Sequence, residues 1–186
     1  MEHFYYMIGE NWFTYKDLYQ EMVSKSREES HFVEIGSWKG RSSCFMGVEI
    51  LNSGKKIKFD CIDTWLGSKN TKRLISNLED ILYQEFIQNI HPINGIINPI
   101  RMTSSKASEL YADLSLDFAF IDASHEYEDV MNDLTSWFPK IKNGGIIAGH
   151  DYPNVLEVVQ AVHDFFKKKN LNYYAIPKQF CWVHKK

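Results

Sequence analysis

An α/β fold with a mostly parallel, doubly wound sheet is predicted for this 186-residue chain by three features of its sequence. A short apolar run at residues 32–35 meets two glycines, Gly36 and Gly40, and passes into a second apolar run at 44–51, which reads as strand, sharp turn and helix. Further apolar runs then alternate with segments of helical period, and several stop on Asp or His. Two last short runs, split by Pro177-Lys178-Gln179, read as an adjacent strand pair that adds a terminal antiparallel strand. Five strand–helix units and that pair give a seven-stranded sheet with helices on both faces.

Taken in order, residues 1–13 are crowded with aromatics: Phe4, Tyr5, Tyr6, Trp12 and Phe13. Thr14 with Asp17 three residues on resembles a helix start, and Leu18, Tyr19, Met22 and Val23 mark one face of a leading helix over 15–29. Residues 1–30 are thus expected to pack as a leader on a single domain spanning 1–186. After the first strand, turn and helix, Asn52-Ser53-Gly54 stops the helix, and residues 56–63 read as a strand ending on Asp63.

Residues 70–90 carry an amphipathic stripe of Leu74, Leu78, Ile81, Leu82 and Phe86, an enlarged connection long enough to cover a crevice. A third strand is expected over 96–102, with Pro99 arguing for a late start near Ile100. Thr103-Ser104-Ser105 forms a polar strand tip before a short helix over 106–112. Residues 116–123 are nearly all apolar until Asp122, and the helix over 126–138 shows Tyr127, Val130, Met131, Leu134 and Trp137 on one face. Asn143-Gly144-Gly145 reads as a turn before a fifth strand over 146–149, which stops on His150-Asp151-Tyr152. The last helix opens at Pro153-Asn154, with Leu156, Val159, Val162 and Phe166 as its expected buried side.

The composition sets bounds on function. With 44% hydrophobic and 15% aromatic residues, the chain supports one full core. Lys and Arg number 21 against 24 Asp and Glu, so the net charge of −3 gives no general pull toward nucleic acid, and the Lys167-Lys168-Lys169 and Lys185-Lys186 runs read as solvated ends. Cys44, Cys61 and Cys181 sit inside apolar runs, as small core residues of a reducing compartment. No run approaches membrane-spanning length, so a cytoplasmic protein without membrane contact is expected. The aromatic N-terminus is compatible with an acceptor pocket wall, a packing staple or a homodimer contact.

In a doubly wound sheet the ends of the strands converge on one crevice. The first turn of the helix after Gly40 offers free N–H groups there, suited to an anionic group. A dinucleotide needs three closely spaced glycines, whereas Trp38 stands between Gly36 and Gly40, so a small anion such as an amino-acid carboxylate fits better than a diphosphate. An acidic side chain at the position of Asp63 can accept both hydroxyl hydrogens of a ribose. Asp122 and Asp151 supply hard oxygen ligands for Mg²⁺ or another divalent cation, and His125, with an ordinary pKa near neutrality, is a candidate general base.

The segment Glu34-Ile35-Gly36-Ser37-Trp38-Lys39-Gly40-Arg41-Ser42 resembles the E-x-G-x-x-x-G-x-S first motif of class I S-adenosylmethionine (SAM)-dependent methyltransferases. Residues 120–127, Asp133-Leu134 and residues 144–152 resemble later motifs of the small-molecule O-methyltransferases related to macrolide-sugar and catechol enzymes. That resemblance spans about residues 30–152 and implies a Rossmann-like class I methyltransferase fold. It also implies that SAM is bound by Glu34, Gly36, Ser37, Trp38, Gly40, Ser42, Asp63, Thr64, Trp65, Ser104, Ser105 and Asp122. In that reading Gly36, Trp38 and Ser42 hold the methionine part, Asp63 the ribose, and Trp65 with the two serines flank the adenine. His125 and Asp122 are the catalytic candidates, and Asp122, His150 and Asp151 the metal candidates. His150 departs from the second acid that related metal-dependent enzymes carry. The expected partner is a small-molecule hydroxyl acceptor; a non-catalytic SAM-binding module and an NAD(P)-dependent oxidoreductase are the rival readings.

Overall fold

A computed structural model describes residues 1–67 and 78–186. The helices are α1 (Lys16–Lys25), α2 (Arg41–Ser53), α3 (Leu78–Ile90), α4 (Ser104–Ser108), α5 (Tyr127–Trp137) and α6 (Leu156–Lys168). The strands are β1 (His31–Ile35), β2 (Lys58–Asp63), β3 (Ile97–Arg101), β4 (Leu116–Ile121), β5 (Ile141–Gly149), β6 (Tyr174–Ile176) and β7 (Cys181–Lys185). They form one sheet in the order β3-β2-β1-β4-β5-β7-β6. β1 pairs parallel with both β2 and β4, and β7 runs antiparallel between β5 and β6. Successive crossovers leave the β1–β4 centre in opposite directions, which opens a crevice beyond the carboxyl ends of these strands. Among the described residues no helix is long and apolar enough to cross a membrane.

Alternation along the strands divides the core into two layers. Phe32, Phe59, Phe118 and Phe120 pack with α1, α2 and α3, while Val33, Ile35, Ile62 and Ile121 pack with α4, α5 and α6. The leader face of Leu18, Tyr19, Met22 and Val23 is buried as its spacing predicts, and all three cysteines are free and buried. Gly54, in the left-handed region at φ +70°, ends α2 where the sequence places a stop.

Several local expectations are revised. β3 starts at Ile97 and carries Pro99 in its middle, because β3 is the sheet's edge and a proline there has no outer ladder to break. Residues 143–145 lie inside β5 rather than in a turn before it; the irregular register between Leu116 and Phe118 takes up the glycines. α4 begins at Ser104, two residues before the expected short helix. On α6 the buried side is Val158, Ala161, Val162, Phe165 and Phe166, whereas Leu156 is 77% exposed at the helix's first position, where it precedes the stripe that meets the sheet. Leu82 and Phe86 of α3 are buried, Ile81 is half exposed, and the part of the expected stripe at residues 70–77, including Leu74, lies outside the described residues. Thr14 does not cap α1: its hydroxyl donates to Gln179 O at 2.8 Å and meets His150 Nε2 at 2.9 Å.

Glu34 lies wholly inside the core on β1, where Tyr19 donates its phenol to Oε2 at 2.8 Å and Ser43 donates its hydroxyl to Oε1. One carboxyl thereby joins α1, β1 and α2. Burial pushes this carboxyl up to about 6 from an ordinary 4.5, outweighing the hydrogen bonds from Ser43 and Tyr19. As pH rises from 4.5 toward 6, the unfolded chain loses this proton before the folded one does. Stability is therefore expected to fall across that window, by about 2 kcal/mol, and to level off above it. Urea unfolding from pH 4 to 8 measures this as the difference between the unsubstituted protein and Glu34→Gln, whose curve should lack that component.

Candidate active site

Two turns form one wall of the crevice. Gly36 sits at φ +91°, and a Cβ there would lie 2.1 Å from the carbonyl oxygen of Asp122, so β1 and β4 approach more closely than any side chain permits. Trp38 at φ +47° and Gly40 at φ +85° complete the turn, and Gly40 starts α2 with no side chain capping it. No side chain thus caps the first N–H groups of α2.

Asp63 at the end of β2 ties this turn to the next. Its Oδ2 accepts the Trp38 N–H at 2.9 Å and its Oδ1 accepts the Trp65 N–H at 2.8 Å. Burial raises the Asp63 carboxyl from its ordinary value, partly offset by these backbone amides. The Trp65 indole N–H donates in turn to Trp38 O at 2.7 Å, and the Thr64 hydroxyl accepts the Leu66 N–H at 3.2 Å. The Trp38 indole is half-buried, with its N–H toward Glu10 Oε2 at 3.2 Å.

Three of the residues expected at a bound cofactor are placed otherwise. Trp65 is fully buried against Tyr83 and Phe86, with ring centroids 5.0 and 4.7 Å away, so it supports the turn from beneath instead of flanking a base. Glu34 is spent on Tyr19 and Ser43 within the core. Ser104 accepts the Trp137 indole N–H at 2.8 Å, which directs its hydroxyl to α5, while Ser105 is exposed at the start of α4. Ser37 and Ser42 are both buried beside the turn.

The opposite wall is built at the carboxyl ends of β4 and β5. Asp122 Oδ2 accepts the Tyr15 phenol at 2.8 Å, and its Oδ1 lies 3.6 Å from His150 Nδ1. His150 Nδ1 is also 3.5 Å from Asp151 Oδ1, and Asp151 Oδ2 meets His125 Nε2 at 2.7 Å. Burial alone would lower His150, but hydrogen bonds and charge from Asp122 and Asp151 raise it to about 9. It is therefore a cation at neutral pH, and its Nε2–H donates to Thr14, whose own hydrogen goes to Gln179 O. The hydrogen bond to Asp151 raises His125 despite partial burial, and the two imidazoles hold Asp151 well below the usual carboxylate range against the opposing effect of burial.

One donor atom each from Asp122, His125 and Asp151 lies within 4.8 Å of the others, a spacing that one divalent cation spans. Asp122 and Asp151 of the expected set thus group with His125, while His150 Nδ1 lies beside both carboxylates at 3.6 and 3.5 Å. A water-sized cavity touches Asp122, His125, His150 and Asp151. Nothing in the sequence alone assigns Tyr15 or Thr14 to this wall. Their only signal there is an aromatic-rich leader, and packing explains aromatics as readily as chemistry does.

Residues 33–152 match a family described as "Methyltransferase domain". No curated protein matches the chain. Among solved structures, the O-methyltransferase NovP superposes with a TM-score of 0.67 at 16% identity, covering 93% of this chain and 79% of NovP. A Streptococcus mutans protein described as a methyltransferase and solved with S-adenosylhomocysteine (SAH) gives 0.64 at 11% identity, covering 91% and 96%. An rRNA methylase from Streptococcus thermophilus gives 0.62 at 11% identity, covering 91% and 94%.

Proposed function

Because the chain belongs to this methyltransferase family, within the class I SAM-dependent enzymes, we propose that it transfers the methyl group of SAM to a hydroxyl of a small molecule with help from a divalent cation. The observation that carries the reading is the packing of the Asp63-tied glycine turn directly against the Asp122 backbone, beside the Asp122, His125 and Asp151 cluster. In the reaction, the acceptor oxygen bonds to the methyl carbon as that carbon leaves sulfur, giving SAH and a released proton. The chain must hold donor and acceptor in line and keep water out.

Amides of the Gly36–Gly40 turn and of the α2 N-terminus, with Ser37 and Ser42, are assigned to the methionine end of SAM. Asp63, whose carboxylate already accepts backbone amides of the two turns, is assigned to the ribose hydroxyls, next to Thr64. The half-buried Trp38 face suits the sulfonium charge, and Ser105 is the exposed serine available at the adenine edge. Asp122, His125 and Asp151 would hold the cation, and the imidazole favours ions softer than Mg²⁺. Such an ion lowers the pKa of a bound hydroxyl. The net charge of −3 and the acids around the crevice favour a small acceptor over an RNA backbone.

A second reading needs no cation. The short contact from His125 to Asp151 has the form of a base held by its orienting acid, with His125 taking the acceptor proton. Calorimetric titration with SAM tests the shared premise: saturable binding is expected, and no binding at millimolar SAM overturns it. Methyl transfer to a panel of hydroxylated small molecules, run with and without EDTA, then separates the two readings. Loss of transfer on chelation supports the cation, and transfer untouched by chelation supports His125 acting alone. A protein that binds SAM yet methylates no hydroxyl of any class would instead be a binding module.

A further inference from the structure

We propose that Tyr15, contributed by the leader and outside the matched segment 33–152, is a positioning residue that holds Asp122 in the orientation the cation cluster requires; this rests on the cation reading above. The phenol is 2% exposed, and its ring is held from several sides: Phe13 at 4.8 Å, Tyr19 at 5.0 Å, Phe120 at 4.3 Å and His150 at 4.9 Å between centroids. A ring packed in this way fixes where its hydroxyl lies, 2.8 Å from Asp122 Oδ2 and beside the Ser42 hydroxyl.

The hydroxyl is not needed for packing. Phenylalanine fills the same space against Phe120 without the cost of burying a polar group. A phenol hydroxyl beside a carboxylate oxygen can only donate to it, so Tyr15 serves Asp122 as a hydrogen-bond donor. A carboxylate with one oxygen pinned has lost a rotation it would otherwise sample, and the ligand set is preorganised before any cation arrives.

The helix that Tyr15 precedes carries a control. Tyr19 lies one turn after Tyr15 and also donates to a carboxylate, but that partner is Glu34, sealed in the core away from the cluster. Both substitutions, Tyr15→Phe and Tyr19→Phe, delete one buried phenol hydroxyl and loosen α1 by comparable means. Only the first touches a cluster ligand.

The experiment is a Mn²⁺ titration followed by the electron paramagnetic resonance signal of the free ion, on the full chain and both variants. SAH titration and thermal melting run alongside to establish that each variant is folded. Mn²⁺ affinity is expected to fall at least about tenfold in Tyr15→Phe, with Tyr19→Phe less stable but unchanged in Mn²⁺ affinity and SAH affinity kept in both. Equal Mn²⁺ affinity in Tyr15→Phe and the unsubstituted protein overturns the inference while leaving the cation reading standing. An equal loss in Tyr19→Phe also overturns it, since the effect would then belong to the helix. Failure of the unsubstituted protein to bind Mn²⁺ overturns the cation reading and the inference with it.

Discussion

Gly36→Ala is expected to lose roughly 4 kcal/mol or more of folding stability and all measurable SAH binding. Two effects add at this residue. Its backbone sits at φ +91°, where an L side chain is strained, and the new Cβ would lie 2.1 Å from Asp122 O and 2.6 Å from Ala123 Cα. Those neighbours are backbone on an adjacent strand, so no side-chain rotation relieves the overlap. β1 and β4 would have to separate at the point where the crevice forms, and the hydrogen bond from the Asp122 N–H to Ile35 O would be among the first to break. Gly54→Ala isolates the first effect, because Gly54 is also left-handed at φ +70° but has nothing within 4 Å of its Cβ position. Urea unfolding should place its cost at about 1–2 kcal/mol. Equal losses in the two variants would show that the close approach at Gly36 does not matter.

Asp63→Ala is expected to weaken SAH binding by about 100-fold or more. The carboxylate accepts the N–H groups of Trp38 and Trp65, and both of those residues occupy left-handed conformations, at φ +47° and +51°. Its removal leaves two amides without partners, at about 1–3 kcal/mol each, and frees two turns that these bonds hold in an unfavourable backbone region. The carboxylate proposed above to accept the ribose hydroxyls is lost as well. Asp63→Asn separates the contributions: its carbonyl still satisfies one amide, while its NH₂ faces the other N–H as a second donor. Calorimetry should rank SAH affinity as Asp, then Asn, then Ala, with unfolding midpoints in the same order. A full-affinity Asp63→Ala protein would remove Asp63 from the binding site.

The sequence is most informative where chemistry and backbone constraint coincide. The E-x-G-x-x-x-G-x-S run, the stops on Asp63 and Asp122, and the His150-Asp151 pair all lie at carboxyl ends of strands around one crevice, because alternation of strand and helix dictates that placement. Residues whose role depends on partners far along the chain are harder to read. Trp65 stands two residues from Asp63 and looks like a ligand contact, but its direction is set by Phe86 and by Trp38 O. Glu34 heads the motif, yet Tyr19 from the leader takes one of its oxygens. The orientation of the His150 ring, with Nε2 on Thr14 and Nδ1 toward Asp122 and Asp151, depends on a partner 136 residues away in sequence. No local pattern carries such information.

Pro99 bears on how copies of this chain can meet. It keeps register with Cys61 on β2, and its ring nitrogen has no hydrogen to give to any strand. An incoming strand seeking to prolong the sheet past β3 would find its central amide donor missing and a pyrrolidine ring in the way. The opposite margin, β6, offers only three residues. Among the described residues, edge-to-edge growth into fibres or continuous dimeric sheets is thereby discouraged at both margins of the sheet.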